Sequence, residues 1–167
     1  MKKCPKCLKY DDESVRFCKS CGTEIFFEER FEVKSKSTKH IQKLLKKKLA
    51  FVGSVGDSKP FIKCMLVSKR EGNIFYFDSN NGSVRTAQWK ENPNACVYFY
   101  EKPIYRGVML SGTIEIINDM ELKKSHWKPM MKSVYKGGVT DPDYCILKFT
   151  AHKGRYYCLY ESEDFTL

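Results

Sequence analysis

Four cysteines in the first 21 residues stand as two pairs, Cys4-Pro5-Lys6-Cys7 and Cys18-Lys19-Ser20-Cys21, with ten residues between them. Thiolates at this spacing suit a metal ion. Two intervening residues let the chain turn back so that both sulfurs of a pair reach one ion, and the second pair completes the shell. Zinc takes such ligands tetrahedrally, with sulfur at about 2.3 Å. Four thiolates leave no open coordination position, so the ion is expected to be structural rather than catalytic. The segment is too short to bury a core, and the metal would supply its folding free energy. Leu8 to Phe17 suits a short β-hairpin, and Gly22 can take a positive φ in the second turn. A redox role is the weaker reading, because a thioredoxin-like site has no use for a second pair at this spacing.

A second stretch carries different chemistry. Phe77-Asp78-Ser79-Asn80-Asn81-Gly82-Ser83-Val84-Arg85 leaves a strand, crosses a hydroxyl- and amide-rich loop and enters a helix expected over Ser83–Glu91. A helix N-terminus offers unpaired N–H groups and the positive end of the dipole, which together favour an anion. Ser79 and Ser83 can donate hydrogen bonds, and Arg85 can grip a phosphate with two parallel bonds. Taken alone, the loop is explained equally well by ordinary turn chemistry. The other reactive residues form no constellation. His40, His126 and His152 match no metal or triad spacing and are expected to be solvent-facing or satisfied. Cys64, Cys96, Cys145 and Cys158 stand singly in apolar surroundings and read as small core hydrophobes. Paired carboxylates, a phosphate-binding P-loop and a dinucleotide fingerprint are all missing.

The elements that must position these residues alternate in period. Residues 1–25 form the metal-binding segment, and residues 26–37 are polar and read as a linker. Thr38 to Leu49 is expected to be helical, with Ile41, Leu44, Leu45 and Leu49 on one face and Ser37 or Thr38 as cap. From Ala50 the pattern is that of strands: Phe51–Val55, Phe61–Val67, Ile74–Phe77, Cys96–Tyr100 and a long strand Arg106–Ile117 with Gly112 as a bend. Asn118-Asp119-Met120-Glu121 opens a helix expected to run to about Met131. Two last strands, Cys145–Thr150 and Arg155–Tyr160, are expected to pair across Ala151–Gly154. Many short strands with a few helices place the chain in the mainly β class and suggest a closed barrel over 38–167.

Composition sets the bounds. Hydrophobic residues make up 42% and aromatic residues 14% of 167 residues, enough for a buried core. No run of about 18 apolar residues exists and the first residues lack a secretory pattern, so a cytoplasmic location without membrane contact is expected. Thiols in that compartment stay reduced, which favours metal over disulfides. The net charge of +10 is uneven, since residues 1–50 hold 14 basic and 7 acidic side chains. That excess suits a solubilising surface, or a nucleic acid or other anionic partner.

Two resemblances follow. The cysteine segment resembles the zinc ribbons at the termini of many bacterial and archaeal proteins, with Leu8 where a glycine is usual. The strand–turn–strand through Lys59-Pro60 and the stretch FYFDSNNGSVRTAQWKENPNACVYFY, with Arg106–Thr113 and Tyr135–Tyr144 beyond, resemble the flavin-binding split barrels related to pyridoxamine phosphate oxidase, especially the general-stress-protein-like branch. In that branch a Thr or Ser follows the third strand, a Ser stands four residues later, a Lys two beyond, and Asn-Pro precedes the next strand. Ser79, Ser83, Arg85 and Asn92-Pro93 reproduce the order, with Arg85 in the place of lysine. The resemblance implies a homodimer holding two flavin mononucleotides (FMN) at its interface. Ser79, Ser83 and Arg85 would hold the phosphate, and Asn80 beside them would belong to the cofactor site. Lys63, Cys64 and Met65 would run beside the isoalloxazine ring, and Tyr105, Arg106 and Trp127 would reach cofactor or substrate from the partner subunit, with a plain core role as the other reading of Trp127. It further implies a flavin-dependent oxidoreductase transferring hydride or electrons to a small molecule. Genuine pyridoxamine phosphate oxidase is not expected, because the Arg- and His-bearing C-terminal segment that grips its substrate is missing. Two alternatives stand beside this reading. One is a flavin-binding or redox-sensing module whose ribbon contacts nucleic acid or protein; the other is a barrel that takes deazaflavin or haem.

Overall fold

The computed structural model describes residues 2–4, 6–7, 9–11, 17–23 and 35–166. The chain divides into two compact units, Met1–Arg30 and Phe31–Leu167. In the first, β1 (Lys2–Lys3) pairs antiparallel with β2 (Tyr10–Asp11), so the strand after the first cysteine pair folds back on the N-terminus. The remainder of the hairpin expected over Leu8–Phe17, the end of the metal-binding segment at residues 24–25 and residues 26–34 of the expected linker lie outside the described residues. Gly22 does take a positive φ, at 69°.

The second unit is mainly β. Its order is α1 (Ser35–Leu44), β3 (Leu49–Gly56), β4 (Lys59–Glu71), β5 (Ile74–Asn80), α2 (Val84–Glu91), β6 (Asn94–Glu101), β7 (Arg106–Ile117), α3 (Met120–His126), β8 (Tyr144–Cys158) and β9 (Glu161–Phe165). Two short 3₁₀ turns, Pro129–Ser133 and Gly138–Thr140, link α3 to β8. The sheet runs β5-β4-β3-β6-β7-β8-β9, and β5 pairs again with β8, which closes six strands into a ring. Phe75, Phe77, Val97, Phe99, Leu110, Leu147 and Phe149 fill its interior. A second cluster of Tyr76, Tyr135, Tyr144 and Ile146 packs outside β5 and β8, so β5 is buried on both faces.

Four expectations are corrected. Helix α1 begins at Ser35 and stops at Leu44, where Lys46 and Lys47 donate to carbonyls three residues back and tighten the last turn. Leu49, expected on the helix, opens β3 and faces outward. Helix α3 stops at His126 rather than near Met131, because Pro129 disfavours helical geometry at Lys128; its expected start holds, with the Asp119 side chain accepting from the Leu122 N–H at 2.8 Å. The two expected final strands are one, β8, which pairs with β7 along its length. A bulge explains the misreading: Ser111 faces Lys153 and Gly112 faces Ala151, leaving His152 as the extra residue and interrupting the alternation. The polar segment Glu161–Phe165 then adds β9, tied to β8 by Arg155 on Asp164 and by Phe165 lying on Gly154.

Gly112 at the bulge tolerates no side chain. An ideal Cβ there would sit 2.0 Å from the Thr150 carbonyl oxygen, a backbone atom held in two ladders. Gly112→Ala is therefore expected to cost about 2–3 kcal/mol, read as a lower urea midpoint at unchanged slope.

Candidate anion-binding cleft and metal centre

Strand β5 ends in the loop that starts α2. Phe75, Phe77 and Ser79 alternate toward the barrel interior, which leaves Ser79 fully buried. Arg85 Nη2 donates to Ser79 Oγ at 3.2 Å, tying the first turn of α2 to the end of β5. Ser83 is the N-cap, its Oγ accepting from the Thr86 N–H at 3.3 Å. Thr86 Oγ1 in turn donates to the Asn80 carbonyl at 2.8 Å. The amides of Val84 and Arg85 are then the ones at this helix end that have no intrahelical acceptor.

Residues 85, 88 and 89 share one face of α2 and overlook a cleft of about 340 Å³ between the helix and strands β3 and β4. Val52, Ser54, Phe61, Ile62 and Lys63 form its other wall. Ser54 Oγ donates to Gln88 Oε1 at 2.7 Å, fixing the helix on β3. Two buried N–H groups of cleft-lining residues have no acceptor: Arg85 Nε and Trp89 Nε1. Trp89 is only 3% exposed, so water does not satisfy it. Buried N–H groups are nearly always paired, and an unpaired one costs about 1–3 kcal/mol. With Lys63 opposite Arg85, the cleft walls carry two cations beside apolar side chains, a fit for an anionic ligand with a flat apolar part.

The match to the family described as pyridoxamine 5'-phosphate oxidase like spans residues 36–164, most of the chain. The chain belongs to that family. Solved structures agree. A Clostridium acetobutylicum protein related to general stress protein 26 of B. subtilis is 32% identical, with a TM-score of 0.72 over 81% of this chain and 97% of that one. General stress protein 26 from Bacillus anthracis is 21% identical, with a TM-score of 0.65 over 78% and 97%. A Nostoc punctiforme protein described as pyridoxamine 5'-phosphate oxidase-related and FMN binding shares the fold at 12% identity, with a TM-score of 0.59 over 80% and 95%. Comparison with curated proteins finds no match.

Within this family member, Ser79, Asn80, Ser83 and Arg85 come together at one loop, and Lys63 faces Arg85 across the cleft. Met65 shares the inward face of β4 with Lys63 but is buried in the core. Cys64 alternates to the opposite face and is exposed, which corrects the expected apolar burial; Cys145 alone of the four single cysteines is fully buried. Tyr105 and Arg106 lie at the β6–β7 turn, away from the cleft walls, and Arg106 Nε also lacks an acceptor. Trp127 packs on Tyr135 and Tyr144 in the outer cluster. His126 is buried at the end of α3 with Nδ1 3.1 Å from Ser68 Oγ, and its Nε2 is unpaired. Sequence reasoning missed Ser54, Gln88, Trp89 and Asp143. The spacing of Gln88 and Trp89 from Arg85 on a helix was the available signal for two of them.

In the first unit the four thiols converge. Cys4 and Cys21 sulfurs are 3.6 Å apart, Cys7 and Cys18 sulfurs 3.5 Å, and all four lie within 4.8 Å of one another. A tetrahedron with bonds of about 2.3 Å has edges of about 3.8 Å, so the set fits one zinc-sized ion. The Cys7 N–H points at Cys4 Sγ at 3.5 Å. Contact with the Thr23 hydroxyl and then its backbone lowers the Cys21 thiol to about 6, which favours the ligand form.

Behind the loop, Tyr135 donates its hydroxyl to the Ser79 carbonyl at 3.0 Å. Burial pushes this phenol up to about 12. Tyr135→Phe removes one buried hydrogen bond to the Ser79 carbonyl, which keeps its place in the β5–β8 ladder, and is expected to cost about 1 kcal/mol in urea unfolding. The raised value also fixes a sign: the folded state keeps a proton that the unfolded chain releases near pH 10, so stability falls as pH rises from 10 through 12. The variant is expected to lose part of that alkaline decline.

Proposed function

We propose that the barrel binds FMN and serves as a flavin-dependent oxidoreductase passing hydride or electrons to a small molecule. The observation that carries this reading is the cleft between α2, β3 and β4, where Arg85 at the helix N-terminus stands across from Lys63 and both Arg85 Nε and Trp89 Nε1 lack an acceptor. The phosphate would lie at the α2 N-terminus against the amides of Val84 and Arg85, with the Arg85 guanidinium beside it and Ser79 and Ser83 shaping the loop. Phe61, Val52 and Trp89 give the ring system an apolar floor, and Lys63 sets a positive charge at its edge. Bound flavin supplies the redox chemistry; these residues bind it, orient it and keep water from one side.

Homodimerisation is part of the proposal. Leu49, Phe51, Val55 and Leu66 stand on the outward face of β3 and β4, Leu66 65% exposed, and Ile62, which also lines the cleft, is 71% exposed. Large apolar patches of this kind mark interaction surfaces. A second copy seated there would also deepen a cleft that is near the lower end of ordinary ligand pockets, about 300–1,000 Å³. The N-terminal unit is read as a structural zinc ribbon on Cys4, Cys7, Cys18 and Cys21.

Purified protein supplemented with FMN is expected to show a flavin absorbance spectrum and quenched Trp89 fluorescence. Arg85→Ala removes charge-assisted bonds and is expected to weaken FMN roughly ten- to a hundredfold. A protein that ignores FMN but takes up deazaflavin or haem would sink the FMN assignment. Oxidation of a nicotinamide donor by the loaded protein separates an enzyme from a binding module. For the ribbon, metal analysis is expected to give one zinc per chain, lost in Cys7→Ser; full zinc in that variant contradicts the four-thiolate site.

A further inference from the structure

One residue on β8's approach holds three consecutive residues of the candidate phosphate loop. Asp143 Oδ1 accepts the Gly82 N–H at 2.7 Å, and its Oδ2 accepts Asn80 Nδ2 at 2.7 Å. The Asp143 carbonyl accepts the Asn81 N–H, also at 2.7 Å. Asn81 Nδ2 adds bonds to the Pro142 carbonyl and to Asn118 Oδ1, each 2.8 Å. The clamp is itself rooted: the Asp143 N–H donates to Asp141 Oδ1 at 3.0 Å, and Asp141 Oδ2 accepts the Gly137 N–H at 2.9 Å. The fit is close, since an ideal Cβ on Gly82 would lie 3.3 Å from Asp143 Oδ1.

We propose that the Asp143 carboxylate is a positioning residue that fixes the 80–83 loop and thereby sets the protein's preference for a phosphorylated flavin over an unphosphorylated one; this rests on the flavin reading above. By occupying the Gly82 N–H and the Asn80 amide, it leaves Ser83 to cap α2 and keeps the Val84 and Arg85 amides turned to the ligand. It touches neither the ring nor the phosphate and acts only through the loop. Its negative charge near an anion site would by itself oppose phosphate binding, so the positioning role makes an opposite prediction to simple electrostatics. The Asn80 and Gly82 bonds hold the carboxyl below its usual range, which keeps the clamp charged at neutral pH.

The test compares FMN with riboflavin, which carries the same ring without phosphate, by fluorescence titration of wild type, Asp143→Ala and Asp143→Asn. Asp143→Ala is expected to weaken FMN about tenfold while riboflavin affinity stays unchanged, so the ratio of the two collapses. Asp143→Asn keeps the acceptor for Gly82, loses the one for Asn80, and is expected to fall between. Equal loss of both flavins would show a general structural fault and overturn the proposal. FMN binding unchanged or tightened in Asp143→Ala overturns it as well. If the wild type takes up neither flavin, the flavin reading fails and the preference fails with it. Amide exchange at Gly82 then still reports the clamp: about tenfold faster exchange in Asp143→Ala upholds it, and unchanged exchange removes it too.

Discussion

The pairing of β5 with the first half of β8 is the constraint on which the barrel and its cleft depend. Seven residues, Ile74 through Asn80, run antiparallel to Thr150 through Tyr144. Without that ladder the sheet would be open, with β5 as a bare edge offering unpaired backbone groups. With it, both strands are buried on two faces and Phe75, Phe77, Leu147 and Phe149 share one interior. The register also decides chemistry. Asn80 opposite Tyr144 brings the loop after β5 against the turn before β8, which is how Asp143 reaches Asn80 and Gly82. One residue of slip would send Ser79 outward and Asp78 into the barrel.

What the ring leaves unsatisfied is as informative as what it buries. Most polar groups near the loop have partners: the Ser79 carbonyl takes Tyr135, the Asn80 carbonyl takes Thr86, and Gln88 takes Ser54. Against that background, the free Arg85 Nε and Trp89 Nε1 stand out, because a fold that pairs its neighbours so fully gains nothing from leaving them open. The exposed apolar residues of β3 and β4 follow the same logic. Alternation puts Lys63 in the cleft and Cys64 and Leu66 on the outer face, with Ile62 at the cleft as well, so two adjoining surfaces of one hairpin both lack a partner among the described residues.

Much of this was legible from the residues. The helix α2, the start of α3, the long β7 and the bend at Gly112 followed from local patterns, because each rests on chemistry within a few positions. The resemblance carried the fold and the cluster of Ser79, Ser83 and Arg85. What escaped was set by distant contacts. The bulge at His152 broke the alternation of β8 and made one strand read as two. Strand β9 is written Glu-Ser-Glu-Asp-Phe, and only the facing Arg155 and Gly154 make it a strand. Asp143 reads as an ordinary turn residue until the ladder places it beside a loop more than 60 positions away. Cys64 looked apolar in its surroundings, which it is, but those surroundings face outward.

Charge completes the argument about the N-terminal unit. Residues 1–30 hold seven basic and six acidic side chains, so the unit is nearly balanced before any metal is counted. Four thiolates around a dication subtract two more charges. The basic excess lies instead in residues 34–48, where seven lysines face no acidic neighbour in sequence. Of these, Lys43 is paired with Glu101 at 2.7 Å, while Lys39, Lys46 and Lys48 are exposed beside α1. The concentration of positive charge therefore lies at the start of the barrel unit rather than in the cysteine unit, whose exposed surface includes Tyr10 and Phe17.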